Sequence, residues 1–439
     1  MCASATVQAL LIAVCALPIV LAAAQPKGLT AAERAMAGFI DEHNDDAIAL
    51  LARVVDINSG TMNLDGVRAV GDVFRVELER LGFVVEWIDQ SAVGRAGHLI
   101  ARHPGPDPKL LLIGHLDTVF ERDNPFQRFE RVDAASARGP GVMDMKGGDV
   151  IMLQALRALD AAGELRSMNI VVALMGDEEE PGHPRAVARA PLVEAATGAA
   201  AAIGFENGDG DPQHAITARR GTTSWELRVS ARSGHSSQIF SEELGAGAVF
   251  EAARIIDAFR TRLASEPHLT FNPGLIVGGT AADVDAAGAH GSSAGKNNVI
   301  ASDVRVVGDL RALTVEQFAH ARQVMTEIVR ESLPGARATI AFDEGYPPLA
   351  PAEGNESLLA IYGQASRDLG FPAVTAVSPD RAGAADVSFV ASQVPRVLDA
   401  IGMKGHDDHS ASETADLSSL PVQAKRAAVL LHRLSRTLR

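Results

Sequence analysis

Cysteine is almost absent from this chain. Its 439 residues hold two, Cys2 and Cys15, and both fall in the first, apolar stretch. With that stretch removed the chain has none, so it can form no disulfide and offers no thiolate to a metal. Any metal ligand must then be histidine or carboxylate. Positive charge is also in short supply: 40 Lys and Arg face 55 Asp and Glu, a formal net charge of −15. That balance argues against nucleic acid or an anionic membrane surface as a partner. No Lys or Arg precedes the apolar stretch Ala9 to Ala24, and the stretch is too short to span a bilayer comfortably. It does end in Ala22-Ala23-Ala24-Gln25, a small-residue cleavage pattern, so residues 1–24 read as a secretory signal peptide. The expected location is secreted or periplasmic, with no stable membrane association after cleavage. The competing reading is an N-terminal anchor, because Ile12-Ala13-Val14-Cys15 faintly resembles a lipoprotein signal. There is no internal repeat.

Hydrophobic residues make up 47% and charged residues 22%, as in a soluble globular protein, and the length exceeds one ordinary core. Apolar periodicity predicts helices over 30–59 and 67–81, the second stopping at Gly82. Strands are predicted over 83–88, 98–101, 110–113 and 169–175, with a helix over 144–162. Residues 110–113 and 169–175 are unbroken apolar runs, as in strands buried on both faces. Strands alternating with helices imply a mainly parallel central sheet with helices on both faces, an α/β fold. After Arg219-Arg220-Gly221 the pattern changes. A half-exposed strand at 224–229, a helix over 243–263, strands over 269–277 and 297–310, a helix over 315–333 and a strand over 336–342 follow. That order, β-α-β-β-α-β, is a split, ferredoxin-like sandwich. Pro347-Pro348-Leu349-Ala350-Pro351 marks its exit. Beyond it, 394–398 reads as a strand and 421–438 as a terminal helix. The expected domains are 25–219 and 347–439, together one unit, with 220–346 inserted.

Five short segments carry metal-type ligands. They are Gly114-His115-Leu116-Asp117, Met143-Asp144-Met145-Lys146-Gly147-Gly148, Gly176-Asp177-Glu178-Glu179, Gly204-Phe205-Glu206 and His409-Ser410-Ala411-Ser412-Glu413. His115 and Asp117 follow a buried strand, and a spacing of two puts both side chains on one side of an extended backbone. Such a pair could equally be a loop histidine beside a turn-capping aspartate. Asp144 could be an N-cap, although a carboxylate using both oxygens on metals could hardly also cap a helix. The acidic run Asp177 to Glu180 and Glu206 each end an apolar strand, where open sheets place their ligands. His406, Asp407, Asp408 and His409 are all candidates locally. Two histidines and three carboxylates suit two zinc-like ions, and a carboxylate beside a ligand is free to act as a base.

The five ordered segments resemble the M20 family of metallopeptidases, near its glutamate carboxypeptidase and aminoacylase-like members. The resemblance covers nearly all of the chain after residue 24. It implies a zinc-peptidase-like catalytic domain and an inserted lid and dimerisation domain. It implies that His115 and Glu206 hold one zinc and Glu179 and His409 the other, with Asp144 bridging. Cobalt or manganese are alternatives to the two zinc ions. It implies Glu178 as general base, Asp117 as the residue that orients His115, and a cis peptide after Asp144. Ser233-Gly234-His235-Ser236-Ser237 resembles the lid segment whose histidine reaches a neighbouring subunit's site, which implies a homodimer. Asn298 and Arg311, in Asn298-Val299-Ile300 and Asp309-Leu310-Arg311, resemble the segment that holds the substrate carboxylate.

Two departures stand out. Glu180-Pro181-Gly182-His183 replaces a turn that is often shorter, leaving Glu178/Glu179 and Glu179/Glu180 as alternative registers. Phe342-Asp343-Glu344-Gly345-Tyr346 lacks the basic residues of glutamate-specific relatives. The expected activity is hydrolysis of an amide or peptide bond beside a free carboxylate, as in a metallocarboxypeptidase. An aminoacylase or dipeptidase acting on small peptides or N-acyl amino acids is the alternative. Two rivals are weighed against it. Gly291-Ser292-Ser293-Ala294-Gly295 fits a serine-hydrolase pattern but lacks the strand-then-helix setting. A secreted metal- or peptide-binding protein would need ligands but no Glu178.

Overall fold

The computed structural model describes residues 28–438, so the signal segment 1–24 and both cysteines lie outside the described residues. A six-stranded sheet carries the larger part of the chain. Its order is Val84–Asp89, Gly97–His103, Asn169–Met175, Lys109–His115, Ala199–Gly204, Val397–Leu398. The last four run parallel, while Gly97–His103 is antiparallel to both its neighbours. The sheet is therefore mixed.

The unbroken apolar runs are explained by burial on two sides. Leu110, Leu112, Ile170 and Val172 pack into a core with Val150, Leu153 and Leu430, on the face covered by the helices Ala31–Glu42, Lys146–Ala161 and Ser419–Thr437. Leu111, Ile113, Val171 and Ala173 point the other way, toward Leu192 of the helix Arg185–Ala195 and toward Val387 and Val390. The helix predicted over 30–59 is two, Ala31–Glu42 and Asn44–Val55, interrupted at His43, whose ring stacks on Phe39 instead. Thr30 caps the first in a reciprocal box with Glu33.

A second sheet has the order Thr270–Gly279, Asp303–Ala312, Gly221–Ala231, Ala336–Phe342, all antiparallel. The helices Gly247–Leu263 and Val315–Arg330 cover one face, around Trp225, Leu227, Val229, Val304 and Val306. The β-α-β-β-α-β order is present. The strand predicted over 297–310 starts only at Asp303. The Gly/Ala-rich connection before it forms an added hairpin, Ala281–Val284 with Gly291–Ala294. The Gly291 to Gly295 segment thus sits in an exposed hairpin with no helix behind it, which removes the serine-hydrolase setting. The two sheets are joined by a pair of crossing segments, where Arg219 bridges Leu349 and Thr222 bridges Tyr346.

Candidate metal centre

Four of the five ligand-bearing segments follow the carboxyl ends of neighbouring strands or open the helix beside them. His115 closes its strand and is buried. Its Nδ1 lies 3.0 Å from the Asp117 carbonyl and 3.4 Å from the Asp117 carboxylate. That leaves Nε2 facing Asp144 Oδ1 at 3.2 Å and Glu206 Oε1 at 3.6 Å. Asp144 Oδ2 lies 3.0 Å from His409 Nε2, which is also 3.3 Å from Glu179 Oε2. The structure therefore gathers two groups, His115–Asp144–Glu206 and Asp144–Glu179–His409, sharing Asp144.

Local sequence explains each placement. The helix Lys146–Ala161 has no side-chain cap, and both Asp144 oxygens stay in the cluster, facing His115 and His409; the peptide Asp144–Met145 is cis. The helix can start so close because Gly148 has no side chain: a Cβ there would sit 2.0 Å from the Phe205 carbonyl, one residue before Glu206. His409 takes φ +58° in its loop. His406 faces solvent against Asp407, and Asp408 accepts from Asn207, so His409 alone of these four joins the cluster. Glu180 is exposed and pairs with Arg95, whereas Glu179 is in the cluster.

Asp117 reaches further than its neighbour in sequence. Its carboxylate accepts from Thr61 Oγ1 (2.7 Å), from Glu178 N–H (3.0 Å) and from Glu179 N–H (3.1 Å). Burial opposes its charge, yet His115, Thr61 and the Glu178 amide together hold its carboxyl below the usual range. Glu178 is not among the clustered groups. Burial and then Asp386 push its carboxyl up to about 8. Burial likewise raises Glu179 and Glu206, with Asp144 adding to both.

Does this set fit metal cations? Three carboxylates converge on two histidines, and Glu179 Oε1 is buried with no hydrogen-bond partner. Packed carboxylates repel, and a buried acceptor without a donor is costly. Cations between the groups would satisfy both, and N/O donors suit zinc, cobalt or manganese.

Other expected residues lie elsewhere. His235 is exposed on the second sheet's unit, with Nδ1 2.8 Å from Ser237 Oγ and its backbone bridged to Val299. Asn298 is exposed on the facing segment. Arg311 pairs with Asp309 at 2.9 Å. Sequence reasoning passed over the work of Glu413. That buried carboxylate accepts from the amides of Gly141, Met143 and Asp144, and so shapes the loop that presents Asp144. The signal was its place in the last motif, 269 residues from Asp144 in the chain.

A mixed sheet with clustered N and O donors near its strand ends presents a site fit for metal cations. Residues 111–433 match peptidase family M20/M25/M40, and the chain belongs to that family. A reading without turnover, as a metal- or peptide-binding protein, is thereby set aside. Carboxypeptidase G2 of Pseudomonas sp. (strain RS-16) is 25% identical over 391 residues, covering 88% of each chain. Among solved structures, the aminopeptidase PepT of Bacillus cereus superposes with a TM-score of 0.70 at 17% identity, over 90% of this chain and 99% of that one. A family M20 metallo-carboxypeptidase of Sulfolobus solfataricus gives 0.63 at 13% identity, over 88% and 99%.

Proposed function

We propose that the protein is a two-metal carboxypeptidase, hydrolysing an amide or peptide bond next to a free carboxylate. The observation that carries this is Asp144, whose two oxygens each face a different histidine at 3.2 and 3.0 Å. His115 with Glu206 and His409 with Glu179 would hold one zinc each, and Asp144 would be shared. When bound, the ions polarise the scissile carbonyl and make a water acidic near neutral pH. Glu178 then accepts the proton of the attacking water and returns it to the leaving amine. Asp117 keeps the His115 ring aimed and holds the Glu178 and Glu179 amides.

The 220–346 unit serves as the lid. Arg311 and Asn298 hold the substrate carboxylate, a role a guanidinium fits by bidentate pairing. His235 donates to the developing oxyanion of a second copy's site. Two features support a homodimer. Among the described residues, the strand Thr270–Gly279 is an edge with no strand hydrogen-bonded to its outer side. Near it lie exposed Ile276, Val249, Phe250 and Phe240, the last two in edge contact at 5.5 Å. The leader 1–24 supports export of the mature chain to the periplasm or medium. Among the described residues no helix is long and apolar enough to cross a membrane.

The name of the Pseudomonas relative supports the carboxypeptidase reading over an aminoacylase or dipeptidase. The test is a panel of dipeptides and N-acyl amino acids, each as free acid and as C-terminal amide, with zinc, cobalt or manganese. Free acids are expected to be cleaved much faster, and a chelator to abolish the activity. Equal rates for acid and amide would overturn carboxylate anchoring.

A further inference from the structure

We propose that Tyr346, held by Arg189, is a positioning residue that ties the crossing segments between the two sheets to Glu178. The proposal rests on the reading of Glu178 as proton acceptor. Tyr346, one of two tyrosines in the chain, lies where the chain leaves the 220–346 unit. Its backbone pairs with Thr222, where the chain enters that unit, by N–H to O bonds of 2.9 and 3.0 Å. Its phenol then reaches to the central sheet and donates to the Glu178 carbonyl at 2.8 Å.

Arg189 fixes the direction of that bond. It is 1% exposed, on the helix Arg185–Ala195. Nε donates to Asp386 Oδ1 at 2.7 Å and Nη1 to Asp177 Oδ1 at 2.5 Å. Nη2 donates to the Asp177 carbonyl at 3.0 Å and to the Tyr346 oxygen at 3.1 Å. A guanidinium only donates, and a phenol has one hydrogen. With its oxygen already accepting from Arg189, Tyr346 must send that hydrogen onward, and the Glu178 carbonyl receives it. The phenol cannot rotate freely either, because Phe389 packs edge-on at 5.0 Å.

Glu178 is thus held at both of its peptide groups. Asp117, beside the metal ligand His115, holds its N–H. Tyr346, on the path between the sheets, holds its C=O. A backbone clamped at both ends aims its side chain, and a displacement of about 1 Å at such a group is enough to slow the chemistry substantially. A movement of the second sheet's unit that shifts residue 346 would therefore change the aim of Glu178, not only access to the cleft.

The test is Tyr346→Phe, which keeps the ring against Phe389 and Arg189 but removes the donor. The substrate is the free-acid dipeptide or N-acyl amino acid that the wild type turns over fastest. The expected result is a fall in kcat of about tenfold, with KM within twofold of wild type, metal content unchanged and the protein still folded at the assay temperature despite a lower thermal midpoint. In a Glu178→Gln background the same substitution is expected to cost nothing further. A normal kcat in Tyr346→Phe, while Glu178→Gln is crippled, overturns the positioning alone. A loss that follows metal content or KM, or one that persists in full without Glu178, also overturns it. Normal turnover in Glu178→Gln overturns the assignment of the base and this proposal with it.

Discussion

At the scale of single residues, the acidic run 177–180 shows how neighbours in sequence are given different tasks. Asp177 turns inward to Arg189, Glu179 faces His409, and Glu180 reaches solvent and Arg95. Glu178 is the one left beside the clustered groups without joining them. Glu178→Gln is expected to keep both metals and the fold while losing roughly 10²–10⁴-fold in kcat. Metal analysis beside turnover checks this, and activity lost only together with metal would reassign the base. Asp117→Ala should act differently. It removes the carboxylate that lies 3.4 Å from His115 Nδ1 and frees the Glu178 and Glu179 amides, leaving only the residue 117 carbonyl on the ring, so metal affinity is expected to fall about 10–100-fold. Competition with a graded chelator would read that change. Arg311→Ala should shrink the preference for free acids over amides, because the discriminating charge has gone.

At the scale of elements, legibility followed burial. The strand Asn169–Met175 could be read to the residue because both its faces are buried and nothing but apolar side chains fits there. The hairpin Ala281–Val284 with Gly291–Ala294 could not, because its small residues are largely exposed and carry no alternation. Of the clustered side chains, His115, Asp144, Glu179 and Glu206 were legible because each lies at the end of a strong strand signal or in a glycine-rich turn, whereas His409 stood among four local candidates and was singled out only by the resemblance. Arg189 and Tyr346 were not legible, since Asp386 and Glu178 lie 197 and 168 residues from them and no local pattern announces them, and Glu413, 269 residues from Asp144, was marked only by its place in the last motif. The pairing of the first and last helices is another long-range contact. Glu33, 2% exposed, accepts from Thr30 N–H at 2.7 Å and from Arg433 Nε at 2.7 Å. Burial opposes its charge, but His432, Arg433 and Thr30 prevail and hold its carboxyl well below the usual range. A lowered carboxyl contributes stability that is full above its unfolded value of 4.5 and is lost as the pH falls below it. Glu33→Gln should therefore destabilise by about 2 kcal/mol at pH 7. Urea midpoints should show that gap closing as the pH is lowered below 4.5, and a gap independent of pH would contradict the assignment.

At the scale of the whole molecule, the exposed position of His235 and the edge strand Thr270–Gly279 of the same unit make assembly testable. A His235→Ala chain and a Glu178→Ala chain, each inactive, are expected to regain one working site when mixed under subunit exchange. In that heterodimer an intact Glu178 faces the partner's intact His235. A mixture that stays inactive although heterodimers form would place His235 outside the reaction. Asp144 and His409, which meet at 3.0 Å, are 265 residues apart in the chain. An ion gripped by both would be a removable cross-link that closes most of the polypeptide into one loop. Since the cost of closing a loop rises only with the logarithm of its length, so wide a closure is little harder to make than a short one. Metal would then be a folding ligand as well as a reagent, adding about 2.7 kcal/mol at a hundredfold excess over Kd. Adding chelator should accordingly lower the thermal midpoint of the Glu178→Gln protein as much as that of the wild type, because the cross-link does not depend on turnover.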